Sequence, residues 1–125
     1  MYFSDKNHEE RFNSLIRKDK SRDYDYERKA FFYIISAFDK LYNDDLYDFE
    51  ERVVKLYYKD KEFENVVEVN PNYSSSEEIF ALFAFHLFNS IYGEYATFTR
   101  VFRYGGNLSL IALTAIAIRF NLPLS

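Results

Sequence analysis

Cysteine is absent from this chain of 125 residues, and so is tryptophan. The lack of cysteine excludes a disulfide scaffold, a thiol nucleophile, a redox-sensing thiol and any zinc site that uses cysteine ligands. The longest apolar stretch, residues 108–118, is shorter than the roughly 20 residues that a membrane-spanning helix needs. The first residues lack the basic and apolar segments of a signal peptide. We therefore expect a cytoplasmic protein that makes no contact with a membrane.

The chain also lacks an excess of positive charge. The net charge is -4, whereas proteins that bind nucleic acid directly need clustered Lys and Arg to replace the counterions of the phosphates. Most charged residues of both signs lie in the first half of the chain, and the second half is largely apolar. Neither half by itself has both the apolar residues for a core and the charged residues for a solvated surface. We therefore expect one globular domain over residues 1–125.

Aromatic residues are abundant instead. The chain contains 14 Phe and 12 Tyr, which together make up 21% of its residues. Such rings form a large core in a small domain, and Tyr in excess of what a core can bury is typical of protein-binding surfaces.

Helical periodicity predicts two helices in the first third of the chain. Apolar residues at i, i+3 and i+4 predict a first helix that is capped by Ser4 or Asn7 and ends near residue 18. A second, longer helix is expected to begin at Asp23 or Asp25 and to end near residue 42.

The last third of the chain has sharper signals. Two overlapping Ser-x-x-Glu capping boxes in residues 74–78 predict a helix over about residues 76–92 that stops at Gly93. A short helix is expected over residues 97–103, and a final helix, capped by Asn107, over residues 108–120. This final helix is apolar on nearly every side, so we expect it to be central, with the others packed around it.

The middle of the chain is ambiguous. Residues 52–69 are rich in Val and Tyr, which favours a two-stranded hairpin that turns across residues 59–61, but an all-helical middle fits equally well. The sequence therefore predicts a mainly α fold: a compact bundle of about five helices around an apolar C-terminal helix, with a small β-hairpin at about residues 52–69 as one alternative.

Several short segments together resemble a known family. They are FSDKNH at residues 3–8, FFYII at 31–35, YDFE at 47–50, SSS at 74–76 and IAIRFN at 116–121. Over most of its length the chain resembles a family of short uncharacterised proteins carried by Gram-positive bacteria and their phages, and the match is weakest over residues 52–72. That family has no assigned activity. The resemblance therefore implies only a context, namely an accessory protein in the cytoplasm of a bacterial host, encoded by a phage or another mobile element.

Motifs for catalysis are weak. Residues 44–48 spell the DDxxD string with which isoprenoid synthases hold magnesium, but a second metal motif is missing, and an acidic loop at a helix end explains the string better. His8 is expected to be exposed in the first turn of the first helix. His86 lies among apolar residues one turn before Ser90, and a core histidine with one hydrogen bond is favoured over a nucleophile and base pair.

Two further segments have structural interpretations that we prefer. Residues 105–107 (GGN) precede a helix but lack the Lys and the Gly spacing of a phosphate-binding loop, so a turn between helices is favoured. Arg100, Arg103 and Arg119 are too few for a nucleic-acid site in an acidic chain. We predict no catalytic residue, no metal and no cofactor.

An acidic cluster near the middle of the chain is the best candidate for a binding site. It contains Asp39, Asp44, Asp45, Asp48, Glu50 and Glu51, and several Tyr residues lie close to it in sequence. The simpler alternative is that this cluster is only solvated surface. The predicted partner-binding residues are Asp44, Asp45, Tyr47, Asp48, Glu50, Glu51, Tyr57 and Tyr58.

These residues predict a non-catalytic accessory protein that binds another protein and alters its activity. In its sharpest form, the protein is a phage inhibitor of a bacterial defence nuclease, anti-CRISPR-like or otherwise anti-defence, whose carboxylates occupy a basic nucleic-acid groove. The alternatives are a self-assembling structural or regulatory phage protein, for example a homodimer, and a small enzyme.

Overall fold

The computed structural model describes residues 1–55, 59–61, 64–66 and 70–123, and most of these residues are helical. The mainly α fold class is thereby confirmed. The helices of the described residues are α1 (Lys6–Asp19), α2 (Tyr26–Ser36), α3 (Asp39–Asn43), α4 (Ser75–Asn89), α5 (Phe98–Val101) and α6 (Gly106–Arg119). The strands are β1 (Tyr47–Asp48), β2 (Val53–Val54), β3 (Lys59–Lys61) and β4 (Glu64–Val66).

The middle of the chain forms two small antiparallel pairs rather than further helices. Strand β1 pairs with β2, with Tyr47 opposite Val54. Strand β3 pairs with β4, with Lys59 opposite Val66 and Lys61 opposite Glu64. A hairpin is thus confirmed, but the turn was predicted at the wrong place, because residues 59–61 are its first strand. Residues 56–58, 62–63 and 67–69 of the predicted hairpin lie outside the described residues.

Helix α2 holds the central position that we expected for the last helix. All its residues from Ala30 to Ser36 are buried, and it packs against α1, α3, α4 and α6. Helix α6 packs on α2 through Ile111 and Ala115, whereas Leu110 and Leu113 on its other side are 47% and 48% exposed. The apolar sequence of α6 would allow burial on all sides, but no described helix or strand covers the side that carries Leu110 and Leu113.

The helix predicted to run to residue 42 is interrupted. Helix α2 ends at Ser36, and Phe38 has extended backbone angles before α3 begins at Asp39. The ring of Phe38 then packs on Phe80 of α4, with centroids 5.1 Å apart. Phe38 is partly buried against the core at this break.

The helix ends lie near the predicted positions, but several capping residues differ from the predicted ones. Asp5, rather than Ser4 or Asn7, caps α1 by accepting the His8 amide proton at 2.8 Å. Asp25 precedes α2, but its side chain makes no capping hydrogen bond to the helix. Helix α4 ends with Ser90 in the left-handed region, three residues before Gly93. Gly105, not Asn107, is the N-cap of α6, and α5 is shorter than expected.

The capping box of α4 is confirmed. The Ser74 hydroxyl oxygen accepts from the Glu77 amide at 3.2 Å, and a Glu77 carboxylate oxygen accepts from the Ser74 amide at 2.7 Å. Two amide groups that have no partner within the helix are satisfied in this way.

Removal of the Ser74 cap should lower the free energy of unfolding. Ser74→Ala removes the acceptor for the Glu77 amide, and we expect a loss of about 1 kcal/mol in the free energy of unfolding, measured with urea. Ser75→Ala, at the exposed next position, is the matched control and should change that free energy by less than about 0.5 kcal/mol. Equal losses in the two variants would contradict the capping role.

Candidate functional site

Three of the residues predicted to bind a partner, Asp44, Asp45 and Tyr47, line one open groove, here called the acidic groove. It has a volume of about 400 Å³ and lies between α1, α3 and β1. Its lining combines aromatic, acidic and basic side chains: Lys18, Tyr42, Asp44, Asp45, Tyr47 and Phe49.

Two cations lie over rings at this groove. The Lys18 ammonium is 4.2 Å from the centroid of the Phe49 ring, and the Arg11 guanidinium is 5.0 Å from that of Tyr42. Arg11 also donates to Asp39 at 2.6 Å, and Asp39 itself is exposed. The predicted negative charge of Asp39 is therefore balanced on the surface by a basic residue of α1.

The Asp44 side chain is held by hydrogen bonds to other residues of the chain. One of its carboxylate oxygens accepts from the Tyr73 hydroxyl and from the Asn70 side-chain amide, the latter at 3.4 Å. The other oxygen accepts from the Asp45 amide at 3.0 Å. These bonds join the end of α3 to the segment that precedes α4. Asp45 is exposed and forms an ion pair with Lys55.

The turn between β1 and β2 carries the other acidic residues. A carboxylate oxygen of Asp48 accepts from the amides of Glu50 and Glu51, at 2.9 and 3.0 Å, which closes the turn. Glu50 and Glu51 are exposed next to Phe49. They are therefore the carboxylates of the cluster best placed to meet a partner.

Tyr47 does not have the exposed position that partner binding requires. It is only 4% exposed, and its ring packs edge-on against Phe32 and Phe49 at centroid distances of 4.7 and 4.9 Å. Its hydroxyl donates to Asp19 at 2.8 Å. Burial, followed by the hydrogen bond to Asp19, raises the pKa of the Tyr47 phenol well above its usual value. Tyr57 and Tyr58 lie outside the described residues.

Behind the groove lies a buried charge network that sequence analysis missed. The Asp19 side chain is fully buried and accepts from Tyr47, from the Ser21 hydroxyl and from the Arg52 guanidinium, whose bonds measure 3.1 and 3.2 Å. Arg52 also donates to Asp25 at 3.0 Å. Its backbone is left-handed, with φ of 59°. No spacing in the sequence signals these contacts, because 33 positions separate Asp19 from Arg52.

The electrostatics around Arg52 favour the charged forms of Asp25 and of Arg52 itself. Burial opposes ionisation of Asp25, but the Arg22 amide and the Arg52 guanidinium outweigh that effect, so the pKa of Asp25 lies below its usual value. The hydrogen bonds that Arg52 donates to Asp19 and Asp25 raise the pKa of its guanidinium. The network joins the α1–α2 connection to the β1–β2 turn and so holds one side of the acidic groove.

Removing the centre of this network should be costly. Asp19→Ala removes the acceptor of the Tyr47 hydroxyl and leaves the Arg52 guanidinium with Asp25 as its one remaining carboxylate, and we expect the free energy of unfolding to fall by about 3 kcal/mol. Asp19→Asn keeps an acceptor for Tyr47, so its loss should be smaller. The exposed neighbour Asp23 provides the control, since Asp23→Ala should cost less than about 0.5 kcal/mol in the same urea titration. An Asp19→Ala variant as stable as the control would show that the network does not hold the loop.

The histidines have different environments from each other. His8 was predicted to be exposed, but it is 1% exposed, because its ring packs between Phe3 and Tyr33. His86 is half-buried and bonds to the Ile91 carbonyl at 2.9 Å through Nδ1, while Ser90 ends the helix. The single hydrogen bond expected for a structural histidine is thus present at His86.

Two of the arginines considered for a nucleic-acid site donate hydrogen bonds to backbone carbonyls of the chain. Arg119 donates to the Leu87 carbonyl at 2.6 Å, and Arg100 to the Tyr95 carbonyl at 3.3 Å. Within residues 1–55 and 70–123, no three His, Asp or Glu side chains form a group that could hold a metal ion. The described helices include none that is long and apolar enough to cross a membrane.

One comparison with known proteins gives a match. A model for a family of unknown function, DUF6075, matches residues 1–123. No curated protein and no solved structure matches the chain. The match agrees with the resemblance to an uncharacterised family, and the origin in bacteria or their phages stays a prediction.

Proposed function

Because the chain belongs to the DUF6075 family, whose function is unknown, we propose a function from its surface: it is a non-catalytic accessory protein that binds a basic protein partner at the acidic groove. The observation that carries this proposal is the composition of the groove. Tyr42 and Phe49 contribute rings to one open depression, in which Asp44 and Asp45 are bonded to Tyr73 and Lys55 and the Lys18 ammonium lies over Phe49. Tyr and other aromatic residues are enriched where proteins bind each other, because they bury a large area at a low cost in side-chain entropy.

The charge of the adjoining turn supports a basic partner. Glu50 and Glu51 are exposed and follow Phe49 directly, so a Lys-rich or Arg-rich segment seated in the groove would meet them at its edge. Opposite charges at the edge of an interface accelerate association and select the partner more than they add affinity. The finer proposal is that the partner is a nucleic-acid-binding host protein such as a defence nuclease, and that a phage or mobile element encodes this inhibitor.

The experiment is affinity capture from a lysate of the bacterium that carries the gene, with tagged wild-type protein and two variants of equal charge change. Glu50→Gln/Glu51→Gln alters the turn beside the groove. Glu9→Gln/Glu94→Gln alters two exposed carboxylates, one on α1 and one in the loop after α4. We expect the wild type and the Glu9/Glu94 variant to retain the same stoichiometric protein, and the Glu50/Glu51 variant to lose most of it.

Salt provides the second measurement. Between about 0.1 M and about 1 M salt the Debye length falls from about 10 Å to about 3 Å, so a partner held by opposite charges should be released. Equal capture by all three proteins would contradict the acidic turn as the contact. A partner retained unchanged at high salt would contradict the electrostatic inhibitor.

A second candidate function, self-assembly, is favoured by another surface, here called the apolar groove. It lies between α2, α6 and the first two residues, has a volume of about 460 Å³, and is lined in part by Tyr2, Leu110, Leu113 and Leu122. The three leucines are about half exposed. Contiguous exposed apolar surface is typical of protein contacts, and a second copy of the chain presents the same apolar surface to cover it.

Light scattering across a concentration series tests self-assembly. If copies pair at the apolar groove, the wild type should have twice the mass of one chain, and Leu113→Glu should have the mass of one chain because it buries a charge in the contact. Val53→Glu is the control, since Val53 is 45% exposed but lies on β2. A wild type of single-chain mass at all concentrations would exclude this candidate.

A further inference from the structure

Residues 1–4 precede α1 and cross the bundle as an extended strap. The Tyr2 carbonyl accepts from the Tyr33 hydroxyl at 2.6 Å, and the Tyr2 hydroxyl donates to Asn107 at the start of α6. The Phe3 ring contacts Phe12 and Tyr33, at centroid distances of 5.7 and 5.9 Å. The strap thus connects α1, α2 and α6.

One buried histidine fastens this strap to the bundle. The Ser4 amide donates to Nδ1 of His8 at 3.1 Å, and the Ser4 hydroxyl is 3.2 Å from the same nitrogen. Since an amide can only donate, Nδ1 must be the unprotonated nitrogen. The proton of the neutral ring is therefore on Nε2, which donates to the Tyr33 carbonyl at 2.8 Å.

A second proton on His8 would break the hydrogen bond between Nδ1 and the Ser4 amide. It would have to reside on Nδ1, where it would point at the Ser4 amide proton, so that two donors would face each other and only the Ser4 hydroxyl, 3.2 Å away, would remain as an acceptor. We propose that residues 1–4 form a strap which His8 holds in place only while its ring is neutral, so that protonation of His8 releases the strap from α2 and α6. This device is independent of the acidic groove.

The groups that face His8 come from three elements. Asp5, at the start of α1, accepts the His8 amide proton, and its charge favours the protonated ring; Arg11, on the same helix, opposes it. Tyr33 contributes its carbonyl and its ring from α2, and burial keeps the phenol neutral by raising its pKa. The strap contributes Phe3 and Ser4.

The balance of these effects favours the neutral ring. Burial lowers the pKa of His8 and outweighs the Tyr33 hydrogen bond and Asp5, which raise it. The folded pKa therefore lies below the usual value of about 6.5. The strap is accordingly fully held above that value and is lost as the pH falls through the folded pKa.

Release would change the apolar groove, because Met1 and Tyr2 form one of its walls. Without the strap, the faces of Tyr33 and α6 that it covers would meet solvent. A mildly acidic environment would therefore enlarge the exposed apolar surface of the protein without unfolding α2.

The test is ¹⁵N NMR of the full chain from about pH 8 to about pH 5, the range in which histidines titrate. We expect the amides of residues 2–4 to lose their heteronuclear NOE with the same midpoint as the His8 ring nitrogens, while the amides of α2 stay ordered. Retention of the NOE at residues 2–4 after His8 has titrated would overturn the proposal. Loss of order throughout α2 at the same midpoint would also overturn it, because the event would then be unfolding.

Two variants make the test specific. His8→Gln has no titrating ring, so the order of residues 2–4 should become independent of pH. His86→Gln removes the other histidine and should leave the midpoint of strap release unchanged. An unchanged transition in a folded His8→Gln protein would overturn the proposal, and if that variant does not fold, the wild-type titration alone decides.

Discussion

Three consecutive rings on α2 each face a different part of the molecule, and the arrangement of the fold depends on them. Phe31 packs on Phe85 and Phe88 of α4. Phe32 packs on the aromatic residues of β1 and its turn, and Tyr33 packs on the strap and α1. Successive helical residues differ by about 100° in direction, so three large side chains in a row require neighbours on most sides of the helix. Burial of α2 therefore determines where its neighbours lie.

Polar residues then join the connecting segments to this core. Asp19 holds the β1–β2 turn through Arg52, and Asp44 holds the approach to α4 through Tyr73. His8 holds the segment before α1. Each of these groups lies in or beside the core and bonds to residues far away in the chain. A buried polar group that is fully hydrogen-bonded costs little, whereas one that loses its partner destabilises the fold, so these joints define one arrangement of the loops.

What remains available for function is the surface that these joints leave exposed. Four of the six residues of the predicted acidic cluster have a structural or paired role, which leaves Glu50 and Glu51 as its outward-facing charges beside the acidic groove. The half-exposed leucines of α6 form the other unusual surface. The two surfaces differ in chemistry, since the first suits a basic partner and the second suits another apolar face.

Local sequence patterns predicted some features of this protein correctly, whereas other features depend on contacts that such patterns do not contain. The helical class and the capping box at Ser74 follow from the sequence, because they depend on neighbours within a few residues. The central place of α2, the break before Phe38, the burial of His8 and Tyr47 and the Asp19–Arg52 pair were decided only by tertiary structure. An apolar helix, a histidine or an aspartate has the same local pattern whether another element covers it or not. Which of them is covered depends on contacts between residues that lie tens of positions apart in the chain.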